Sequence, residues 1–426
     1  LQLKRFRLFI DFKHSLLLQQ KHQFLHESFV MQLLKQLPLI PRTVWVLGFV
    51  STFTDIASEL VLIVLPFFMV GTLGIAMPTF GIIEGIAESS RLIMNLMSGI
   101  LSDLWRGRKR KPFIVLGFSI AACAKVLFAL ARSAHAIIFA RIVDRVGTGI
   151  RSAPRDALIG DVCPAHLRGS CFGLRQTLDT VGAFTGPLLA MLLLALFHDS
   201  MHVVLAFAII PAFISVLLLV FGVHETTQPQ AAAKEHDANV HAITQMSPAF
   251  WRVVSLTALI YLTRISEAFL LLNAHRLGMA IMLVPLVKVT MNIVFSLVAY
   301  PAGALSDRVP RIQMLGIGLV FLTLSMGTLA LSRSLIMMFC GIIAWGIYMG
   351  INEGILNALV VDTTNPMQRG TAFGIFNTVA GVCILIANIS AGIIWHAYGA
   401  PYVFGVLCMV SIAALVFAVL YRNKCA

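Results

Sequence analysis

The sequence predicts an all-α polytopic membrane protein, with twelve transmembrane helices arranged as two six-helix pseudo-symmetric halves. Three observations predict it: a composition unlike that of a soluble domain, a recurrence of bilayer-length apolar stretches, and a self-similarity offset by half the chain. Hydrophobic residues make up 58% of the 426 residues and charged residues 12%, with mean hydropathy +0.89. Soluble domains carry roughly 25% charged residues. Disorder, collagen and coiled coil are excluded by the same figures. The net charge of +13 is spread thinly over apolar sequence, a pattern that orients a chain in a lipid bilayer and not one that binds nucleic acid.

Residues 1–43 form a basic N-terminal extension containing KRFR. They read as an over-extended start, with Met31 the candidate initiator, and a basic helix lying on the membrane surface is the alternative. The first half, 44–222, holds apolar spans at 44–71, 79–102, 112–131, 135–159, 170–196 and 202–222. Residues 223–249, rich in Ala, Gln, Thr and His, read as a cytoplasmic linker. The second half, 250–421, repeats the series at 250–273, 281–304, 311–331, 335–360, 371–396 and 401–421, and 422–426 form a tail. Each span can cross a hydrocarbon core of ~30 Å. An even number of crossings puts both termini on one side. Arg106 to Lys111, Arg168, Arg308, Arg311, Arg369, Arg422 and Lys424 fall on that side, against Arg132, Arg276 and Arg333 opposite. Both termini are therefore expected to be cytoplasmic.

Laying 156–177 on 357–378 matches 8 of 22 positions, including Asp161 with Asp362, Arg168 with Arg369 and Gly173 with Gly374. GILSD at 99–103 repeats as GALSD at 303–307, and Ser58-Glu59 as Ser266-Glu267. Parallel six-span repeats are a transporter architecture, with substrate held near the midplane between the halves. At these residues the chain resembles the major facilitator superfamily. GILSDLWRGRKRK (99–111) and GALSDRVPR (303–311) are similar to that family's loop signature of Gly, Asp and basic residues, which departs here at Leu104 and Pro310. The resemblance implies that Gly99, Asp103 and Arg106, with Gly303, Asp307 and Arg308, take part in the conformational switch. Arg141 matches a fourth-span Arg that the family's antiporters use in proton transfer. Gly173, Gly182, Gly186 and Pro187 resemble the fifth-span motif of its exporters, where small residues let helices pack closely.

Ionisable groups at a helix centre cost about 2.5–3.5 kcal/mol each on insertion scales, so a chain carrying many is expected to use or pair them. Asp55 and Glu59 share a face of the first span. Both ionised at close range repel, so one is expected to carry a proton unless a cation intervenes, and Arg141 and Arg145 are the cations expected there. Glu88 with Arg91, and Arg264 with Glu267, stand three apart and are expected to pair locally. Glu353 has no basic residue within a helical turn. The expected proton-coupling group is thus Asp55, Glu59, Arg141, Asp144, Arg145 and Glu353, and the expected substrate contacts are Glu88, Arg264, Glu267, Tyr348 and Asn352.

The seven cysteines show no CxxC and are expected to be packing residues, not disulfides or zinc ligands. His198 and His202 have metal-like spacing but no further ligands, so no metal is expected. No Walker, GxSxG or HExxH motif occurs, and neither ATP-driven transport nor enzymatic catalysis is supported. The reading is a proton-coupled secondary transporter, a monomer in a bacterial inner membrane. It needs no cofactor beyond the proton gradient and exports a small organic compound by antiport. Uptake of an anionic solute such as an organic acid or metal chelate is the alternative, and a non-transporting receptor on the same fold the second.

Overall fold

In hydrocarbon every backbone amide has to be satisfied within the protein. The computed structural model meets this with helices over its described residues, 39–104, 110–164, 167–223, 246–306, 309–352, 355–364 and 369–422. The first half comprises α1 (Arg42–Phe67, prolonged by a π-turn Phe68–Thr72), α2 (Met77–Leu104), α3 (Lys111–Leu130), α4 (Ala134–Val162), α5 (Arg168–Leu196), α6 (Met201–Phe207) and α7 (Ile209–Gly222). The second comprises α8 (Pro248–Tyr261), α9 (Ala268–Arg276), α10 (Pro285–Ser306), α11 (Arg311–Leu331), α12 (Leu335–Asn352), α13 (Ile355–Thr363), α14 (Arg369–Tyr398) and α15 (Ala400–Arg422). Local chemistry starts several of them. Ser133 Oγ accepts from Ala136 N at 3.3 Å and Ser247 Oγ from Phe250 N at 3.1 Å, and a proline stands in the first turn of α3 and of α8.

These helices account for twelve crossings. Nine described segments are long and apolar enough to cross a membrane by themselves. The other three passes are α2 and α4, whose charges lower their hydropathy, and α8 with α9. The uninterrupted span expected over 250–273 is a correction: the helix opens between Tyr261 and Ala268. The freed Ser266 N–H donates to Asn388 Oδ1 on α14 at 2.8 Å, a partner that no local pattern reveals. The extension over 1–38, linker residues 224–245 and tail residues 423–426 lie outside the described residues.

The two halves meet tightly at the end away from the termini. There α2 and α14 approach backbone to backbone: a Cβ added at Gly81 would lie 2.3 Å from the Asn388 carbonyl, and one at Gly392 2.4 Å from that of Met77. Ser89 Oγ donates to the Gly381 carbonyl at 2.7 Å. Nearer the termini the same helices touch only through side chains, Leu92 at 4.0 Å from a Cβ on Gly381 and Leu96 at 3.9 Å from one on Gly374. The apolar cores follow this division. One large cluster joins the far ends of both halves, from Leu60 and Phe80 to Phe269 and Phe404, whereas Val44, Ile114, Leu158 and Leu219 form a separate core at the terminal end of the first half.

Two findings refine the sequence reading of small residues. Cys163 and Cys171 form a disulfide between the end of α4 and the first turn of α5, although both were expected to be packing residues. The short loop brings their Cα atoms to 6.7 Å, a proximity that irregular spacing does not show. Gly99 approaches Ala153 of α4 (3.3 Å from an added Cβ), whereas a Cβ added at Gly303 would meet no atom within 4 Å among the described residues. Within the first half α3 meets α4 backbone to backbone, where a Cβ on Gly147 would lie 2.8 Å from Ala121 N and from the Gly117 carbonyl. Gly147→Ala should therefore destabilise the protein by about 1–3 kcal/mol, read as an earlier thermal transition in detergent. Gly160→Ala, with no atom within 4 Å of the new methyl, should leave the transition in place or raise it. Equal effects of the two would refute this packing.

Candidate functional site

Eight ionisable intramembrane groups cluster where α1, α2, α4, α9 and α10 converge. Lys288 of α10 lies between Glu59 of α1 and Glu267 at the start of α9. Its Nζ is 3.2 Å from Glu59 Oε1 and donates a hydrogen bond to Glu267 Oε2. Lys288 and Glu59 are buried, at 7% and 11% side-chain exposure, while Glu267 is 33% exposed. Two carboxylates thus share one ammonium, and Glu59 Oε2 has no hydrogen-bond partner among the described residues. The cation that meets Glu59 is Lys288 from the other half, not the expected Arg141 or Arg145. The expected local pair of Arg264 with Glu267 is likewise replaced, because the broken helix turns Glu267 toward Lys288 while Arg264 lies over the Tyr261 ring at 5.5 Å.

Arg141 and Arg145, one turn apart on α4, face Glu84 and Glu88, one turn apart on α2. Arg141 Nε and Nη2 donate to the two Glu84 oxygens at 3.0 and 2.8 Å, a bidentate pair with both residues about 1% exposed. Ser266 Oγ, from the opened helix of the second half, also donates to Glu84 Oε2, at 2.7 Å. Glu88 receives Arg145 at 3.2 Å and Arg91 at 3.0 Å. The Glu88–Arg91 pairing is as expected from spacing. Charges therefore divide: one surplus carboxylate around Lys288, one surplus guanidinium around Glu88.

Asp144, expected among the proton-coupling groups, is instead 2.6 Å from Lys125 of α3, the two side chains 4% and 1% exposed. That pair is buried, and Lys125 is a partner the sequence reading did not name. Lys125 was missed because a cation in the middle of KPFIVLGFSIAACAKVLFAL has no acidic neighbour in sequence to suggest its partner. Asp55 does not face Lys288. It lines a cleft of about 220 Å³ with Asp179, Gln176, Asn292, Phe295 and Ser296, where α1 and α5 of one half meet α10 of the other. The small residues of α5 make this approach possible. A Cβ on Gly182 would lie 2.9 Å from Asp55 Cβ, and one on Gly186 2.6 Å from Glu59 Cβ. Pro187 stands inside the helix beside them.

The remaining expected contacts lie elsewhere. Tyr348 is buried with its ring edge-on to Trp345, and Asn352 packs on Gly318 of α11, both inside the second half. Glu353, Arg106, Asp307 and Arg308 lie outside the described residues, as does the side chain of Asp103. Among the described residues no group of three or more His, Cys, Asp or Glu is arranged to hold a metal, and the His202 ring stacks edge-on against Phe68. Removing the shared cation tests the central triad. Lys288→Met should cost about 3–5 kcal/mol by leaving the buried Glu59 carboxylate without a counter-charge, and adding Glu59→Gln should recover part of the loss. A double variant less stable than Lys288→Met in thermal melts would refute the pairing.

Comparison with known proteins agrees with this arrangement. The family model described as the Major Facilitator Superfamily matches residues 47–350 and 268–424. An uncharacterized MFS-type transporter of Methanocaldococcus jannaschii is 30% identical over 366 residues, covering 84% of this chain and 89% of that protein. Among solved structures, the nucleoside transporter NupG superposes with a TM-score of 0.73 at 16% identity, over 89% of this chain and 99% of that one. A D-xylose-proton symporter does so with 0.69 at 16% identity, over 88% and 96%. Such identities carry the fold and not the substrate. With its duplicated helices, its intramembrane charges and these relatives, the chain belongs to the major facilitator superfamily and is a membrane transporter of that family.

Proposed function

We propose that the protein is a proton-coupled secondary transporter that exports a small organic compound by antiport. It works as a monomer in a bacterial inner membrane, both termini cytoplasmic, with the proton gradient as its energy source and no cofactor. The observation that carries this reading is Lys288 shared between Glu59 of one half and Glu267 at the opened helix of the other. With all three groups charged the cluster has one carboxylate in excess. A proton neutralises that excess, and so does a cationic group of a substrate. Both cannot do so at once, and mutually exclusive occupancy of one site is what exchange requires. With cytoplasmic termini, tight packing at the far end makes this conformation inward-facing, the state in which an exporter loads.

The guanidinium excess at Glu88, Arg91 and Arg145 supports the second reading, uptake of an anionic solute held by charge-assisted hydrogen bonds. One experiment separates the two. Proteoliposomes carrying a pH dye are challenged with cationic drugs, organic anions and metal chelates, with Glu59→Gln as control. Antiport predicts proton movement opposite to a cationic substrate, abolished in Glu59→Gln. Movement in the same direction as an anion would replace export by symport, and transport without any proton signal would end the coupling proposal.

A further inference from the structure

The pair Lys125–Asp144 touches neither the Lys288 cluster nor the cleft at Asp55, yet it joins α3 to α4 at the level where α4 carries Arg141 and Arg145. Asp144 is adjacent to Arg145 and one turn from Arg141, a spacing at which carboxylate and guanidinium pair readily. It takes neither, because its Oδ1 accepts from Lys125 Nζ at 2.6 Å. Both guanidiniums are left to α2, where 84 meets 141 and 88 meets 145 at the same offset, two rungs one turn apart. The upper rung reaches further, because Glu84 also holds Ser266 of the second half.

We infer that Lys125 is a positioning residue of the transport cycle: by occupying Asp144 it reserves Arg141 and Arg145 for Glu84 and Glu88, and so keeps the Glu84 link to Ser266 that holds the halves together. Without the ammonium, Asp144 is a buried charge lacking a partner and draws a guanidinium from α2. Removing both members leaves no such charge, since a buried pair replaced as a whole is often tolerated where the loss of one partner is not. The inference rests on the alternating-access reading above and not on proton coupling or direction.

The test is the set Lys125→Met, Lys125→Arg, Asp144→Asn and Lys125→Met with Asp144→Asn. It uses the full chain in lipid nanodiscs carrying Cys123→Ser, Cys340→Ser, Cys383→Ser, Cys408→Ser and Cys425→Ser, with a single reporter thiol introduced by Leu385→Cys. The thiol at position 385 is then the remaining free one. Leu385 Cδ1 lies 3.1 Å from a Cβ on Gly85 of α2, so alkylation there by N-ethylmaleimide reports separation of α2 from α14. Lys125→Met should raise the alkylation rate about fivefold or more, and the double variant should return it to within about twofold of the parent, as coupled sites do. Lys125→Arg should stay near the parent rate. A double variant that labels as fast as Lys125→Met, or a Lys125→Met that labels at the parent rate, overturns the inference. Should Lys125→Met not fold, a double variant that folds and labels like the parent upholds it, and one that also fails to fold overturns it. Ser266→Ala should also speed labelling; unchanged labelling there, beside acceleration in Lys125→Met, overturns the part of the inference that runs through the Glu84–Ser266 link.

Discussion

A charge at the centre of a bilayer must be met by another within the protein, and the arrangement of this molecule follows from how few ways that can be done. Lys288 stands on α10 of the second half, and the carboxylate that answers it across the interface is Glu59 of the first. The close approach of α1 to α5 through Gly186, the opening of the helix before Glu267 and the meeting of α5 with α10 all bring these groups together. The pairing is worth having in a moving protein because it is conditional. An ammonium shared by two carboxylates is satisfied by either, so the site tolerates a change of neighbours that a one-to-one pair would resist.

The other ionic contacts serve different ends. The ladder of Arg141 and Arg145 on Glu84 and Glu88 ties α4 to α2 within one half, and only its Glu84 rung reaches across to Ser266. The Lys125 contact is drier still and holds α3 on α4. Each half thus carries bonds that keep its helices in register and a smaller set that can be exchanged as the halves separate. The apolar packing is divided in the same way: joined at the far end by rings such as Phe80 on Phe269 at 5.3 Å, and separate near the termini. Rigid halves with a breakable seam are what alternating access requires.

The outline was legible in the residues. Apolar length and the repeat of 156–177 at 357–378 define twelve crossings in two halves, because a membrane leaves the backbone no choice but helix and a duplicated unit leaves its motifs twice. The Glu88–Arg91 pair was legible too, since i,i+3 spacing on a helix is geometry that sequence contains. So were Gly182 and Gly186 as points of close approach, where absence of a side chain is itself the signal.

What the residues could not express is which helix faces which. Lys288 is 229 positions from Glu59, counting 288 − 59, and no periodicity links them. The sequence reading does not single out Lys125 and groups Asp144 with Arg141 and Arg145; their pairing shows only once α3 lies against α4. The opening between Tyr261 and Ala268 depends on an Asn388 amide from a distant helix to satisfy Ser266. The sequence by itself determined the solvent, the number of crossings, the duplication and the stock of buried charges, since composition and local spacing carry these. Only the tertiary structure decided the partners, because a buried charge is paired across space, by whichever opposite group the packing of the helices brings within reach.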